Sequence, residues 1–341
     1  MRILVISSDR TSELHRPVNL GDAMLTDALV ASLRAKGHDA IAADFGDAER
    51  RGGEARLRLS GVGALLRALR SVDALVIGGG TLLQDDAREI PGGWGGLPRL
   101  CAASSILARL TRTKVAFYGV GCDPVERVGA RTLLRLAVRG VPVWVRDTRS
   151  AARVRETLKG RAMLGADASL LMGFDPRGQA AEDAPVVVAL NGEHARHLTA
   201  GQVETLKQSG RRLVFLNMSQ GGAFLDADSL SVDARAAFDE VTEPMGWDEA
   251  FRLIRSAESV WGSRMHALYA AMLSGVPMVA LSALPKVITF AEDFGIPRVA
   301  ETSEIGEVHP TLADAAALDA AVETADRTLD DLLVGVVGTG R

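Results

Sequence analysis

"WGSRMHALYAAMLSGVPMVAL", residues 261–281, carries no charged side chain from Ala267 onward. The uncharged stretch continues to Pro285 and is nearly long enough to span a bilayer, but Ser274-Gly275-Val276-Pro277 interrupts it midway. It therefore reads as a strand ending at Gly262, a buried helix, a turn, and a buried strand over "PMVAL". A strand, a helix and a second strand at this spacing make a crossover unit of a parallel sheet.

The same alternation extends through the chain. Toward the N-terminus, "RILVIS", "DAIAADF", "ALVIGGG", "KVAFYGVG" and "PVWVRD" are strand candidates. Helical patterns such as "DAMLTDALVASLRAKG" and "LPRLCAASSILARLTR" lie between them, the first closed by Lys36-Gly37. "GFDPRGQAAEDAP", residues 173–185, lacks periodicity and reads as a linker. Beyond it, "VVVALN", "RRLVFLNM", "SVWGS" and "PMVAL" restart the pattern. The expected fold is α/β, with two Rossmann-like parallel-sheet domains over 1–175 and 184–305. A helical segment follows over 310–335. Strand ends of both domains are expected to face a central cleft.

Composition agrees with this division. At 341 residues the chain suits two ordinary cores, and 47% apolar with 24% charged residues is globular usage. A formal net charge of -4 argues against wholesale binding to nucleic acid. Between Arg99 and Arg161, however, fourteen Lys or Arg stand against four acids. A solvated helical face is the preferred reading, with an anionic acceptor or membrane surface as the sharper one. Two cysteines, Cys101 and Cys122, make neither a disulfide framework nor a four-thiolate zinc site, and no metal motif is present. The opening "MRILVISS" has no secretory design, so a cytoplasmic location is expected, with peripheral contact at the inner membrane face if the acceptor is lipid-linked. Nothing in the sequence specifies an oligomeric state.

Five places carry candidate chemistry. Ser263 is a suitable N-cap for the helix of the opening stretch, which would place Arg264 in the first turn and His266 near its end. Helix-start N–H groups and a guanidinium favour an anion, and a histidine there can move protons near neutral pH. A histidine in a polar pocket and an arginine paired with an acid are the plainer readings, and the strand-to-helix position favours function. Asn19, Gly21 and Asp22 in "VNLGDAML" suit either a capped helix or a binding loop. Gly78, Gly79 and Gly80 follow a strand directly and would admit a ligand close to the backbone; their spacing is not a dinucleotide or P-loop motif. Arg146, at the end of "PVWVR", is either an anion clamp or the partner of a neighbouring acid. Lys286 follows a strand and a proline and could reach the cleft or simply lie on the surface. His194 and His197 are read as surface residues.

Together "NLGDAML", "GGGTLL", "VRDTRS", "SRMHALYAAMLSGVP", Lys286 and "FGIP" resemble, in order and spacing, the polysaccharide pyruvyl transferase family over roughly residues 1–297. The resemblance implies a glycosyltransferase-B-type fold. It also implies transfer of a pyruvyl group from phosphoenolpyruvate to two hydroxyls of a sugar, forming a ketal and releasing phosphate. No cofactor or metal is needed, since phosphoenolpyruvate is the donor substrate. His266 and Arg264 would be catalytic. Arg146, Ser263, Lys286, Asn19, Gly21, Asp22 and the three glycines would bind substrates. The acceptor would be a sugar or lipid-linked oligosaccharide, on the N-terminal side. Two alternatives are a nucleotide-sugar glycosyltransferase of the same fold, for which Glu292 and Asp293 are the nearest ribose-binding acids, and a non-catalytic sugar- or anion-binding relative.

Overall fold

The computed structural model describes residues 1–341 except 47, 52–53, 87–95, 208–209, 222–224, 283, 301–303, 306–307 and 338–341. The chain divides into two compact units, one of Met1–His15, Leu25–Met172 and Ala321–Arg341, the other of Arg16–Met24 and Gly173–Ala320.

The first unit holds β1 (Arg2–Ile6), most of α1 (Leu20–Ala35), β2 (Asp39–Asp44), β3 (Arg56–Arg58), α2 (Val62–Arg70), β4 (Ala74–Gly78), α3 (Leu97–Leu110), β5 (Lys114–Val120), α4 (Val128–Val138), β6 (Pro142–Val145), α5 (Thr148–Glu156) and β7 (Arg161–Leu164). The strands form one parallel sheet in the order β3-β2-β1-β4-β5-β6-β7. Alternate residues of a strand serve opposite faces. Leu4, Ile6, Phe117 and Val143 pack with Leu65, Leu69, Leu100 and Leu134 on one face. Ile3, Val5, Val76 and Tyr118 pack with Leu25, Leu29 and Leu33 of α1 on the other. Because both faces are covered, the central strands are continuously apolar, as parallel sheets require.

The second unit holds β8 (Val186–Ala189), α6 (Gly192–Ala195), α7 (Ala200–Lys207), β9 (Leu213–Phe215), α8 (Val232–Ala237), β10 (Glu240–Val241), α9 (Trp247–Ser256), β11 (Ser259–Gly262), α10 (Met265–Leu273), β12 (Met278–Leu281), α11 (Pro285–Asp293) and β13 (Arg298–Val299). Its parallel sheet runs β10-β9-β8-β11-β12-β13. The uncharged run that opens the sequence analysis is α10 and β12, with Gly275 at φ 62° ending the helix. Eight of α10's nine residues are buried, and a helix apolar all round belongs in a core. Its Tyr269 packs edge-on against Phe290 and Phe294, with ring centroids 4.8 and 6.3 Å away. Among the described residues no helix is long and apolar enough to cross a membrane.

Three features depart from the expected boundaries. Residues 16–24 count with the second unit, because Gln220, fully buried, donates from Nε2 to the carbonyls of Pro17 (3.1 Å) and Met245 (2.6 Å), while Leu20 N–H donates to Met218 O at 2.9 Å. The stretch read as a linker is bound at its start: Asp175 and Arg177 N–H groups donate to Leu273 and Ser274 carbonyls at 3.0 and 2.9 Å, capping the end of α10. The terminal helix, α12 (Ala315–Val337), passes into the first unit from Ala321 and is no separate segment. Its Leu329, Leu332, Leu333 and Val336 join the core with α1, and Tyr118 Oη donates to Ala325 O at 2.6 Å. The arginines of the basic run largely serve the fold. Arg109 donates to carbonyls of Leu136 (2.9 Å) and Arg139 (3.0 Å) at the end of α4, and Arg135 donates to Thr157 O at 2.9 Å.

The placement of α12 is testable. Leu332 is fully buried, so Leu332→Ala should cost about 2–5 kcal/mol in urea unfolding. A loss under about 0.5 kcal/mol, the surface norm, would mean that α12 does not complete this core.

Candidate functional site

In the second unit the chain starts at β8 and fills the sheet outward in both directions, so the connections reverse between β8 and β11. Loops leaving neighbouring strands on either side of such a reversal form the usual ligand crevice of an open α/β sheet. Here those loops carry Asn191 after β8 and Ser263 and Arg264 after β11. They are joined directly: Asn191 N–H donates to Ser263 Oγ at 2.9 Å, and Ser263 and Arg264 N–H groups donate to Ala189 O at 3.0 and 3.1 Å.

Ser263 is therefore not the N-cap of α10. Its hydroxyl is spent on the β8 loop, the N-cap position falls to Arg264 (φ -83°, ψ 105°), and no side chain caps the helix start. The Ala267 N–H in this turn donates to Arg264 O at 3.0 Å, and a helix start that no side chain caps suits an anion.

The Arg264 guanidinium lies against Asp226, which opens the 3-10 helix Asp226–Ser229. Nε donates to Oδ2 at 3.0 Å and Nη2 donates to Oδ1, a bidentate pair. The Asp226 side chain is 2% exposed and that of Arg264 is 24% exposed, so the guanidinium spans from the interior toward solvent. Nη1 makes no hydrogen bond to a described residue. Burial pushes the Asp226 carboxyl above the usual carboxylate range, opposed by Arg264 and by the Ser219 N–H that donates to Oδ2 at 2.9 Å.

His266 points elsewhere. A Cβ on Gly21 would fall inside its imidazole, 2.7 Å from Cγ, so only glycine allows the ring to lie on the first turn of α1. Asn19 caps that turn, its Oδ1 accepting from Gly21 N–H (2.8 Å) and Asp22 N–H (3.3 Å). The other flank of the imidazole faces Tyr269, with ring centroids 6.2 Å apart. Two stretches far apart in sequence, "NLGD" at 19–22 and "SRMH" at 263–266, thus meet within one unit. Lys286 is exposed in the first turn of α11.

The first unit gathers the remaining candidates. Its sheet reverses between β1 and β4, and Gly78, Gly79 and Gly80 leave β4 at that point. Gly79 has φ +79°, and a Cβ there would overlap Leu25; one on Gly78 would lie 2.7 Å from Leu29 Cδ2. The glycines bring α1 down onto the end of β4, which accounts for at least two of them by packing. Arg146, read as either an anion clamp or the partner of an acid, is 6% exposed and paired with acids. Nη1 meets Asp167 Oδ2 at 3.3 Å, Nη2 donates to Thr81 Oγ1 at 3.0 Å, and Nε lies 3.5 Å from Asp147 Oδ2. Its guanidinium lies over Gly121, where a Cβ would be 2.9 Å from Cζ. Arg146 thereby ties the glycine loop to the ends of β5 and β6.

His194, read as surface, is half-buried; its Nδ1 is 2.8 Å from Asn191 Oδ1, and burial lowers its pKa. Sequence reasoning missed Asp226, Asn191 and Gln220. Asn191 closes one strand candidate and Gln220 follows another, which was a usable signal. Asp226 sits in a stretch with no periodicity and offered none. Among the described residues no group of three or more His, Cys, Asp or Glu is placed to hold a metal.

Gly21→Ala should displace the imidazole, cost about 1–3 kcal/mol by overpacking, and move the His266 ring signals in an NMR spectrum. An unchanged spectrum at full stability would contradict the contact.

Comparison with known proteins agrees with this architecture. No curated protein matches the sequence. Among solved structures, UDP-GlcNAc 2-epimerase from Methanocaldococcus jannaschii is 12% identical, with a TM-score of 0.56 and 98% of this chain and 99% of that chain covered. S. aureus MnaA, in its co-structure with UDP, is 10% identical, with a TM-score of 0.60 and coverage of 99% and 97%. Arabidopsis thaliana UGT89C1 complexed with UDP is 12% identical, with a TM-score of 0.57 and coverage of 98% and 99%. At these identities the likeness is one of fold, and the fold is of the glycosyltransferase-B type. The sequence itself matches the family described as polysaccharide pyruvyl transferase over residues 19–283, a span that runs from the Asn19 cap through Arg264 and His266 to the end of β12, and the chain belongs to that family.

Proposed function

We propose that the protein transfers a pyruvyl group from phosphoenolpyruvate to two hydroxyls of a sugar in a cell-surface or secreted polysaccharide, with release of phosphate. The observation that carries the reading is the uncapped start of α10, beside a guanidinium whose Nε and Nη2 are held by Asp226, and followed by His266. Phosphoenolpyruvate brings a carboxylate and a phosphate to one carbon, and helix-start amides with an arginine are the groups that bind such oxygens.

The reaction balances without a cofactor. The donor CH2 carbon takes a proton and becomes the ketal methyl, while an acceptor hydroxyl adds to the adjacent carbon. The carbon–oxygen bond to phosphate then breaks, and the second hydroxyl adds to the same carbon. Two hydroxyl protons are lost, one equivalent appearing in the methyl group and one on phosphate. His266 is the group assigned to proton movement. Arg264 and the α10 amides stabilise the leaving phosphate. Ser263 fixes the β8 loop, and Asn19 and Gly21 set the imidazole. Asp22 and Lys286 are assigned to substrate contact. Arg146 shapes the glycine loop of Gly78, Gly79 and Gly80 on the acceptor side. With a lipid-linked acceptor, the protein would work in the cytoplasm at the inner face of the membrane.

Arg264→Ala should weaken phosphoenolpyruvate binding by about 1.5–3 kcal/mol, roughly tenfold or more. His266→Asn should keep the fold and the donor affinity while phosphate release falls about 10²-fold. A His266→Asn variant that loses melting temperature but keeps its specific activity would make the histidine a packing residue and remove its assigned role.

A further inference from the structure

We propose that Asp226 is a positioning residue that acts through Arg264, fixing the guanidinium so that its Nη1 edge meets the donor anion; this rests on the phosphoenolpyruvate reading above. Simple electrostatics would forbid the arrangement. A carboxylate beside an anion site repels the ligand, and a site built only for attraction would leave Arg264 unpaired. The geometry points to orientation instead. The carboxylate engages the Nε and Nη2 edge of the guanidinium, which is planar, so the direction of Nη1 follows from that of Asp226.

Asp226 is itself anchored. Its Oδ2 accepts from Ser219 N–H at 2.9 Å, and the next residue, Ala227, donates from its N–H to Asn217 Oδ1 at 2.9 Å. Asn217 in turn donates from Nδ2 to Thr242 O at 2.7 Å. Ser219 bridges to Asn19, the cap of the turn on which His266 lies. A fixed framework therefore runs from the end of β9 to both side chains assigned to catalysis. A long arginine loses rotamer freedom when it binds a ligand, and pairing it in advance removes that cost from the binding step.

The two accounts predict opposite signs. Asp226→Asn removes a negative charge, so a purely electrostatic site should bind phosphoenolpyruvate more tightly. A positioning role requires about tenfold weaker binding by calorimetry, partial recovery in Asp226→Glu, and no further loss when Asp226→Asn is added to Arg264→Ala. Tighter or unchanged binding in Asp226→Asn, or losses that add in the double variant, would overturn the proposal. A second readout does not depend on the donor. The Arg264 Nε–H proton should be protected from exchange in the parent and lose that protection in Asp226→Asn, and equal protection in both would overturn the proposal by itself. A parent that protects this proton yet does not bind phosphoenolpyruvate would refute the donor reading, while leaving the hold of Asp226 on Arg264 in place.

Discussion

A parallel strand buried on both faces can offer chemistry only from its ends. β4, β8, β11 and β12 are buried along their whole length, so every polar side chain that could meet a substrate is delivered by a loop or helix start beyond a strand. In the second sheet the reversal between β8 and β11 then decides which ends matter, because neighbouring loops diverge there and leave room. Ser263, Arg264 and His266 follow β11 at that point, and Asn191 follows β8.

The arrangement depends on balancing one charge at low exposure. Asp226, 2% exposed, could not stay ionised there alone, and Arg264 together with the Ser219 N–H makes it tolerable. The same pair aims the guanidinium. His266 is placed by a steric device of the opposite kind, since the missing side chain of Gly21 is the space its ring occupies. One residue is held by attraction and the other by a vacancy, so the two side chains diverge although they stand two apart in sequence.

Much of this was legible in the sequence, for physical reasons. Central strands and α10 announce themselves as uninterrupted apolar runs, and "NLGD" and "SRMH" stood out as polar stretches where a helical pattern begins. The edge strands β3, β7, β10 and β13 were not legible. They span two to four residues, include Arg56, Arg58, Arg161, Glu240 and Arg298, and owe their conformation to a neighbouring strand. Ser263 looked like an N-cap because local propensity favours it, but a tertiary bond to Asn191 took its hydroxyl. Arg146 left two readings open, and the acid that resolves them, Asp167, lies 21 residues away. Asp226 could not be found from spacing at all, because it meets Arg264 across 38 residues of chain. The transfer of residues 16–24 to the second unit likewise rests on Gln220, whose contacts cross about two hundred residues.

The fold is shared with nucleotide-sugar enzymes, so the donor is the point on which the account stands. Calorimetric titration of the purified protein with phosphoenolpyruvate, and separately with UDP- and GDP-sugars, tests it most directly. The account predicts saturable heat with phosphoenolpyruvate and none with the nucleotide sugars. Saturable binding of a nucleotide sugar with no response to phosphoenolpyruvate would contradict it.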